Sequence, residues 1–461
     1  MDSESKYNGK LLNKGEPVVS EHRLYKIIES SKSKLYSKSQ YNSRKIKILE
    51  KEFCFLVLKP LLYASDLLIN QRYNALLKRI KLYISEYPKI DTSALICEVF
   101  FDSYFRKGKK GYTSRSVLYE IVSKVVSKKQ PIQIVIPLFP NKVACPLKNI
   151  GSDFDLGEII LLLRLRELIK LIKLFYSPGA EIVILSDGKR FSKAWNTPLN
   201  KIKKYQIQIS IWIKRLSLEN SITLIDYEDT LYTTLPIVFR NKRTYEYENS
   251  IRLYNKKIKP LLNIESMKES LLKTIDLDPD KDDLDQEGRF VPLFKSTLFS
   301  IDYSDRIKEL TTINLFEKRR IYYQILRDIL LDDKKHNLYQ KLILERAWLG
   351  TIEYIAKVRQ DRLIGIDPIA YIYPDCIRGT IHPKPGQVGI ITISRGSYTT
   401  QPWHGIGCLK LSRGKVKADV KSVLELESLG YLPVHIEDSN RPIFYIDKTI
   451  NLNKMSIIRS R

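Results

Sequence analysis

Hydrophobic and polar positions alternate in three different ways along the chain. Residues 1–45 are rich in Ser, Lys and Asn without a steady period, which predicts a loosely ordered basic extension. From residue 46 to about 130, apolar residues recur with helical spacing, as in LLYASDLLINQRYNALLKRIKLYISEY. Beyond that point short continuous apolar runs appear, which is typical of strands that are buried on both faces.

The apolar runs alternate with amphipathic stretches. In chain order they are IQIVIPLF (132–139), a helix at 156–176, AEIVILS (180–186), a helix at 198–217 and SITLID (221–226). This order predicts a Rossmann-like parallel sheet with flanking helices and right-handed crossovers. Ligands on such sheets bind beyond the carboxyl ends of the strands. The polar loops at 139–158 and 186–191 follow two of these ends, so we expect the binding site there.

The second half of the chain predicts a different arrangement. An acidic stretch, DLDPDKDDLDQE, indicates a linker at 276–290, and helical spacing follows from about 305 to 363. The segments CIRGTIHP, VGIITIS, GIGCLKLS and PIFYID then alternate with Pro/Gly turns, which predicts antiparallel strands. The expected fold class is α/β: a helical lead-in and Rossmann-like domain at 46–275, and a C-terminal helical and antiparallel-strand region at 291–461 that completes the active site.

The charge of the chain bears on its partners. The 461 residues carry a formal net charge of +26, spread along the whole length and mixed with Asp and Glu. Such a charge attracts polyanions or small anionic substrates. Zinc-finger spacing, ribonucleoprotein motifs and a homeodomain pattern are all missing from the sequence, which favours small anions over nucleic acid. The sequence also has no GxGxxG or GxxxxGK[ST] motif for a nucleotide.

Cysteine usage and hydropathy indicate the compartment. The five cysteines include no CxxC pair, which disfavours a disulfide framework and a cysteine-based zinc site. The longest apolar stretch, at 156–175, is interrupted by charged residues, and residues 1–20 are polar. We therefore expect neither a membrane span nor a signal peptide, and a cytoplasmic protein.

Two of the five histidines lie in CIRGTIHPKPGQVGIITISRGSYTTQPWHG (376–405). Lys384 closely follows His382 and no carboxylate stands beside it, which disfavours a metal site. Two alternatives stay open for His382 and His404: packed, hydrogen-bonded sheet residues, or acid/base groups. Arg378 and His382 are four residues apart and therefore share one strand face, and a polar strand face is typical of a lined pocket.

The loop after the first predicted strand offers a second set of polar groups. Lys142 and Lys148 can bind phosphate or form imines, or they can simply solvate the loop. Asp155 and Glu158 can hold an ammonium group or favour the helix N-terminus. Asp187, in the SDG after the second strand, is also consistent with a structural turn. The residues alone leave these alternatives open.

Taken in chain order, these motifs resemble the pyoverdine/dityrosine biosynthesis family, which contains the isocyanide synthases and the fungal dityrosine-pathway enzymes. The resemblance covers roughly residues 130–450 and rests on Phe139, Pro140, Lys142, Lys148, Asp155, Gly157, Glu158, Pro178 to Ala180, Ser186 to Gly188, Arg378, His382, Pro402 to Gly405 and the RPIFY that begins at Arg441. FDLGE replaces the family's PDxGE, Gly379 and Thr380 replace Leu and Ser, and Gln401 replaces Thr. These departures leave the product open.

The resemblance implies an enzyme without metal or other cofactor that acts on the amino nitrogen of an aromatic amino acid, Tyr or Trp. In the isocyanide synthases this nitrogen attacks the carbonyl of a pentulose phosphate, ribulose 5-phosphate, and keeps one carbon. In the fungal branch, which the length of the chain favours, the product is N-formyl-L-tyrosine. A cytochrome P450 couples that product into dityrosine during spore wall maturation.

The resemblance also implies roles for individual residues. The expected catalytic residues are His382, His404, Glu158 and Asp155. The expected substrate-binding residues are Lys142, Lys148, Asp187, Arg378, Trp403 and Arg441.

Two rival functions stay open at this point. One is a tyrosine or tryptophan isocyanide synthase that serves a secondary metabolite. The other belongs to a different class: a basic, nucleic-acid-associated protein that keeps the fold without catalysis.

Overall fold

In the part of the chain that the structure describes, two five-stranded sheets and a helix that contacts both form the core. The structure is a computed structural model, and it describes residues 46–86, 91–107, 115–142, 149, 151–195, 197–258, 337–381, 386–393, 401–412, 415–437, 439 and 441–450. The predicted extension at 1–45, the predicted linker at 276–290, Lys148 and His382 lie outside the described residues.

The strands are short, from two to seven residues. In chain order they are β1 (Ile46–Ile48), β2 (Ile132–Pro137), β3 (Ala180–Ser186), β4 (Ile222–Asp226), β5 (Ile377–Thr380), β6 (Val388–Gly389), β7 (Ile406–Ser412), β8 (Lys415–Lys421), β9 (Leu432–Ile436) and β10 (Phe444–Ile446).

The helices vary more in length. They are α1 (Glu50–Phe53), which leads through a π-helical turn at Cys54–Leu58 into α2 (Lys59–Glu86), then α3 (Thr92–Phe101), α4 (Arg115–Ser127), α5 (Leu156–Phe175), α6 (Leu199–Arg215), α7 (Tyr227–Thr234), α8 (Ile237–Ile258), α9 (Asn337–Leu363), α10 (Pro368–Ile372) and α11 (Val423–Ser428).

The first sheet has the order β4-β3-β2-β5-β6, and each neighbouring pair is parallel. The three predicted strands form β2, β3 and β4, and the two predicted helices form α5 and α6. The expected α/β class with a Rossmann-like parallel sheet is therefore confirmed. Because side chains alternate across a strand, Ile134 and Ile182 face one hydrophobic cluster, while Val135 and Val183 face another on the opposite side.

The prediction of antiparallel strands is wrong for two segments. IRGT and VG form β5 and β6, which extend the parallel sheet beside β2. Gly379 explains the fit, because a Cβ there would lie 2.6 Å from Ile136 Cγ1 and 2.8 Å from Ile390 Cδ1. Beyond β6, the edge is covered by an antiparallel bridge between Arg106 and Ile390.

The second sheet is mixed and has the order β1-β9-β10-β7-β8. Its β7–β8 and β9–β10 pairs are antiparallel, as predicted for this part of the chain, whereas β1–β9 and β7–β10 are parallel. Strand β1 precedes the first sheet in the sequence and β7–β10 follow it. The two sheets are therefore interleaved along the chain.

Helix α5 joins the sheets, since it contacts β3 on one side and β7 and β8 on the other. It is apolar almost all round and buried along most of its length, which is typical of a central helix. Its buried charges are paired: Arg164 contacts Glu167, and Arg166 contacts Asp66. Among the described helices, none is long and apolar enough to cross a membrane.

Candidate active site

The segment after β2 turns sharply at Phe139. This residue has φ 53°, a left-handed conformation that is uncommon for a bulky side chain and is often found near functional sites. The Ser186 hydroxyl donates to its carbonyl oxygen at 2.8 Å. Gly188 lies directly against the same turn, because a Cβ there would be 1.7 Å from the Pro140 oxygen. The FPNK motif (139–142) and the SDG motif (186–188) therefore pack directly against each other.

Lys142 is enclosed by acidic side chains. Its Nζ contacts an oxygen of Asp155, and it lies 2.9 Å from Glu158 Oε1 and 3.2 Å from Glu158 Oε2. The Tyr205 hydroxyl, on α6, donates to Glu158 Oε1 at 2.8 Å. These four residues, which we call the Lys142 cluster, are between 0% and 2% exposed.

Helix α5 begins inside this cluster. Asp155 is its N-cap and accepts the Gly157 N–H at 2.7 Å, while Glu158 reaches back to accept the Asp155 N–H at 2.8 Å. This is a capping box, in which both carboxylates satisfy N–H groups that the helix leaves free. The same two carboxylates therefore start the helix and bind Lys142.

Burial changes the acidity of the Lys142 cluster. It raises the pKa of Glu158 to about 7; the positive charge of Lys142 opposes this shift and the negative charge of Asp155 adds to it. Burial, together with the charge of Glu158, raises the pKa of Tyr205 well above its usual value of 10. Tyr205 is thus a hydrogen-bond donor at neutral pH, and Glu158 can take up or release a proton there.

The QPWHG segment meets the same helix start. Pro402–His404 form a 3-10 turn that contacts α5, and the buried Trp403 ring lies edge-on to Phe139 at 6.1 Å. The Asn149 side chain donates to the Trp403 carbonyl at 3.2 Å. His404 is half-buried, with its ring 6.2 Å from that of Trp403. The structure thus brings Lys142, Asp155, Glu158 and Trp403 into one region, with His404 beside it.

Asp187 stands at the carboxyl end of β3, next to the glycine that packs on Pro140. It is half-buried, and its pKa is raised to about 6 because burial outweighs the positive charge of Arg190. Its position at the strand end is the one predicted for a ligand-binding side chain. Its role in binding stays a prediction.

Two predicted substrate-binding arginines contact carboxylates of the chain itself. Arg441 lies 3.2 Å from Asp153, and it donates to the Phe154 carbonyl at 3.2 Å. Arg378 pairs with Asp367, and strand alternation puts it on the face of Val135, opposite the face that packs against α5. Arg441 therefore borders the Lys142 cluster through the residues before α5, whereas Arg378 does not join it.

Two groups that belong to the site were not predicted from the sequence. Tyr205 follows the apolar stripe of α6 together with Ile202, Ile209 and Trp212 and so reads as a core residue. Its hydroxyl was the available signal, since a buried Tyr O–H usually has a partner. The other contributor is the backbone N–H of Gly407, which donates to Asp155 at 3.1 Å and which no side-chain pattern could indicate.

A family model described as "Pyoverdine/dityrosine biosynthesis protein" matches residues 122–289, a range that contains the whole Lys142 cluster. This part of the chain, a little over a third of its length, is similar to the pyoverdine/dityrosine biosynthesis family. The resemblance drawn from the FPNK, SDG and QPWHG motifs is confirmed.

Relatives within this family are moderately similar. The L-tyrosine isonitrile synthase of Pseudomonas aeruginosa is 25% identical over 289 residues, 62% of this chain and 72% of that protein. The L-tyrosine isonitrile synthase of Xenorhabdus nematophila is 39% identical over 84 residues, 18% of this chain and 25% of that protein. Spore wall maturation protein DIT1 of Saccharomyces cerevisiae is 26% identical over 151 residues, 31% of this chain and 28% of that protein. The last two matches thus span little more than a quarter of those relatives.

A solved structure of the family is also similar. The crystal structure of the PvcA protein from Pseudomonas aeruginosa aligns over 77% of this chain and 99% of that chain, with 20% identity and a TM-score of 0.49.

Proposed function

We propose that the protein is an enzyme that attaches a one-carbon unit to the amino nitrogen of L-tyrosine, with ribulose 5-phosphate as the carbon donor. The observation that carries this proposal is the Lys142 cluster, in which a lysine and two carboxylates are enclosed beyond the carboxyl end of a parallel strand. The family match at residues 122–289 and the names of two relatives, both L-tyrosine isonitrile synthases, support the choice of reaction and substrate.

The chemistry begins with a proton. An amino acid carries an ammonium group at neutral pH, and its nitrogen must lose a proton before it can attack the ketone carbon of the sugar phosphate. Glu158 is suited to accept that proton, because burial raises its pKa to about 7. In the proposal, Asp155 or Glu158 holds the ammonium group and Asp187 contributes to substrate binding. His404, together with His382, moves protons during imine formation and carbon–carbon cleavage.

The phosphate of the sugar needs a cation. Lys142 and Arg378 were both predicted to bind the substrate, yet each pairs with carboxylates of this chain. In the proposal Lys142 therefore sets the charge of Glu158 and Asp155. A phosphate contact by Lys148 remains a prediction.

The proposed final product is N-formyl-L-tyrosine, formed by the addition of one water molecule to the isocyanide. Dityrosine formation in spore wall maturation would use it, through a cytochrome P450 or another oxygenase downstream. The name of the Saccharomyces cerevisiae relative supports this branch. The runner-up product is the isocyanide itself, which the names of the two bacterial relatives favour.

The experiment is an incubation of the purified full-length chain with ribulose 5-phosphate and either L-tyrosine or L-tryptophan, followed by mass spectrometry. A product heavier than tyrosine by one carbonyl group indicates the formamide, and a product lighter than that by one water indicates the isocyanide. Loss of turnover in His382→Ala and in His404→Ala supports the acid/base roles, whereas full turnover in both variants contradicts them.

A candidate from another class is a nucleic-acid-associated protein without catalysis, which the net charge of +26 favours. Tight DNA or RNA binding that weakens steeply with salt, together with no turnover of either amino acid, would favour this alternative.

A further inference from the structure

Tyr205, on α6, contacts both α5 and the loop that follows β2. Its hydroxyl donates to Glu158 Oε1, while its ring lies edge-on to the Phe139 ring at a centroid distance of 6.4 Å. Phe139 in turn packs edge-on against Trp403. One side chain on α6 thus touches both the glutamate of α5 and the loop that carries Lys142.

The hydrogen bonds of Glu158 show what the hydroxyl contributes. Oε2 accepts the Asp155 N–H at 2.8 Å and faces Lys142 Nζ at 3.2 Å. Oε1 faces Lys142 Nζ at 2.9 Å and accepts the Tyr205 hydroxyl at 2.8 Å. Among the described residues, each oxygen thus has two donors, which fix the rotation of the carboxylate. Tyr205 supplies the donor that the helix start and the lysine do not.

We propose that Tyr205 is a positioning residue, which holds the Glu158 carboxylate against Lys142 and favours its ionised form. The inference rests on the proposed function insofar as Glu158 is the proton acceptor. A donor stabilises an anion more than it stabilises the neutral acid, so loss of the hydroxyl makes Glu158 hold its proton to higher pH. Without the Tyr205 hydroxyl, Glu158 Oε1 also stays buried with one hydrogen bond fewer, which costs free energy.

The test compares Tyr205→Phe with Tyr176→Phe. Tyr176 is a matched control, because it is also buried and its hydroxyl donates at 2.8 Å to a backbone carbonyl, that of Gln130, outside the Lys142 cluster. We expect Tyr205→Phe to move the midpoint of the kcat–pH profile upwards by about one pH unit, the size expected for one hydrogen bond to a charged group. We expect kcat at pH 7 to fall about fivefold, because the ionised fraction of Glu158 falls from about one half to about one tenth, with little change in KM for tyrosine. The control should keep the wild-type midpoint.

A second measurement does not depend on turnover. Carbon-13 labelling of the glutamate carboxyl groups allows Glu158 to be titrated by NMR in the full chain, with Glu158→Gln to identify its signal. An upward shift of this titration in Tyr205→Phe supports the inference. An unchanged titration overturns it, even if the variant is less active.

A second variant covers the case in which Tyr205→Phe does not fold. With 3-fluorotyrosine at position 205, a stronger acid of nearly the same shape, the hydroxyl is a better donor, so the Glu158 midpoint should move downwards. A purely structural role predicts no such reversal. If the wild-type chain turns over neither amino acid, the proposed function fails, but the two NMR titrations still decide the role of Tyr205.

Discussion

The Asp155 carboxylate accepts the backbone N–H of Gly407 at 3.1 Å, although the two residues are 252 positions apart. Asp155 starts α5, and Gly407 belongs to β7 of the second sheet. The contact requires close approach of two backbones, since a Cβ on Gly407 would lie 2.5 Å from the Gly157 nitrogen and 2.7 Å from the Leu156 carbonyl carbon. The Lys142 cluster is therefore fixed from both sheets.

This close approach predicts the effect of Gly407→Ala. The added methyl group must push β7 away from the start of α5, and overpacking of this kind typically costs ~1–3 kcal/mol of unfolding free energy. The fall in kcat should be larger than the loss of folded protein accounts for, because Asp155 loses the Gly407 N–H donor. Urea unfolding and kcat measurements test both points.

Gly151→Ala is the matched control for Gly407→Ala. A Cβ there would meet only the side chain of Arg441, at 3.0 Å or more, and that side chain can move. We expect a change in unfolding free energy within ~0.5 kcal/mol. Equal losses in the two variants would contradict the close approach of β7 and α5.

Replacement of Lys142 by methionine should be strongly destabilising. It leaves two buried carboxylates without their cation, and the removal of one partner from a buried ion pair typically costs ~3–5 kcal/mol. Lys204→Met is the control: Lys204 also pairs with an aspartate, Asp153, at 2.9 Å, but its side chain is 64% exposed. Such surface pairs contribute only ~0–1 kcal/mol. Similar unfolding midpoints for both variants would indicate that Lys142 is not the counterion of the cluster.

The contrast between these lysines shows how far sequence reasoning reaches. Strands β2, β3 and β4 were predictable because short continuous apolar runs between turn residues are typical of parallel strands that are buried on both faces. The proximity of Lys142 to Asp155 and Glu158 was also within reach, because all three follow one strand end. The carboxylate partners of Arg378 and Arg441 could not be predicted, because only tertiary packing brings Asp367 and Asp153 to them.

The pairing of β5 and β6 was missed for a related reason. Four and two residues carry too little pattern to indicate the direction of a neighbouring strand. The parallel arrangement depends on contacts of Gly379 with Ile136 and Ile390, which lie far apart in the chain. Local alternation therefore predicted strands correctly but not the sheet that they join.

The acidity of Glu158 predicts how stability changes with pH. Burial raises its pKa from the ordinary value of 4.5 to about 7, so between these values the folded chain keeps a proton that the unfolded chain releases. The contribution of Glu158 to stability is therefore full below about pH 4.5 and lost as the pH rises through about 7. Glu158→Gln cannot release this proton, so the free energy of unfolding should fall less between about pH 5 and about pH 8 in the variant than in the wild type.

Urea unfolding at several pH values measures this difference. Asp187, whose pKa is raised to about 6, adds a slope of the same sign, but it is present in both proteins and cancels in the comparison. Glu181→Gln, at an exposed position on β3, is the matched control. Parallel pH curves for the wild type and Glu158→Gln would show that Glu158 does not titrate in this range.

Two roles of Arg441 can be distinguished by experiment: it holds the residues before α5, or it contacts the substrate. If it works by holding the residues before α5, its effect passes through Asp153, 3.2 Å away, and through the Phe154 carbonyl. Arg441→Ala and Asp153→Ala should then be less than additive in kcat/KM, with a coupling energy of ~0.5–3 kcal/mol. If Arg441 instead contacts the substrate, its loss should raise KM, and the two effects should add. A double-mutant cycle, with Lys204→Ala as a second partner of Asp153, distinguishes these outcomes.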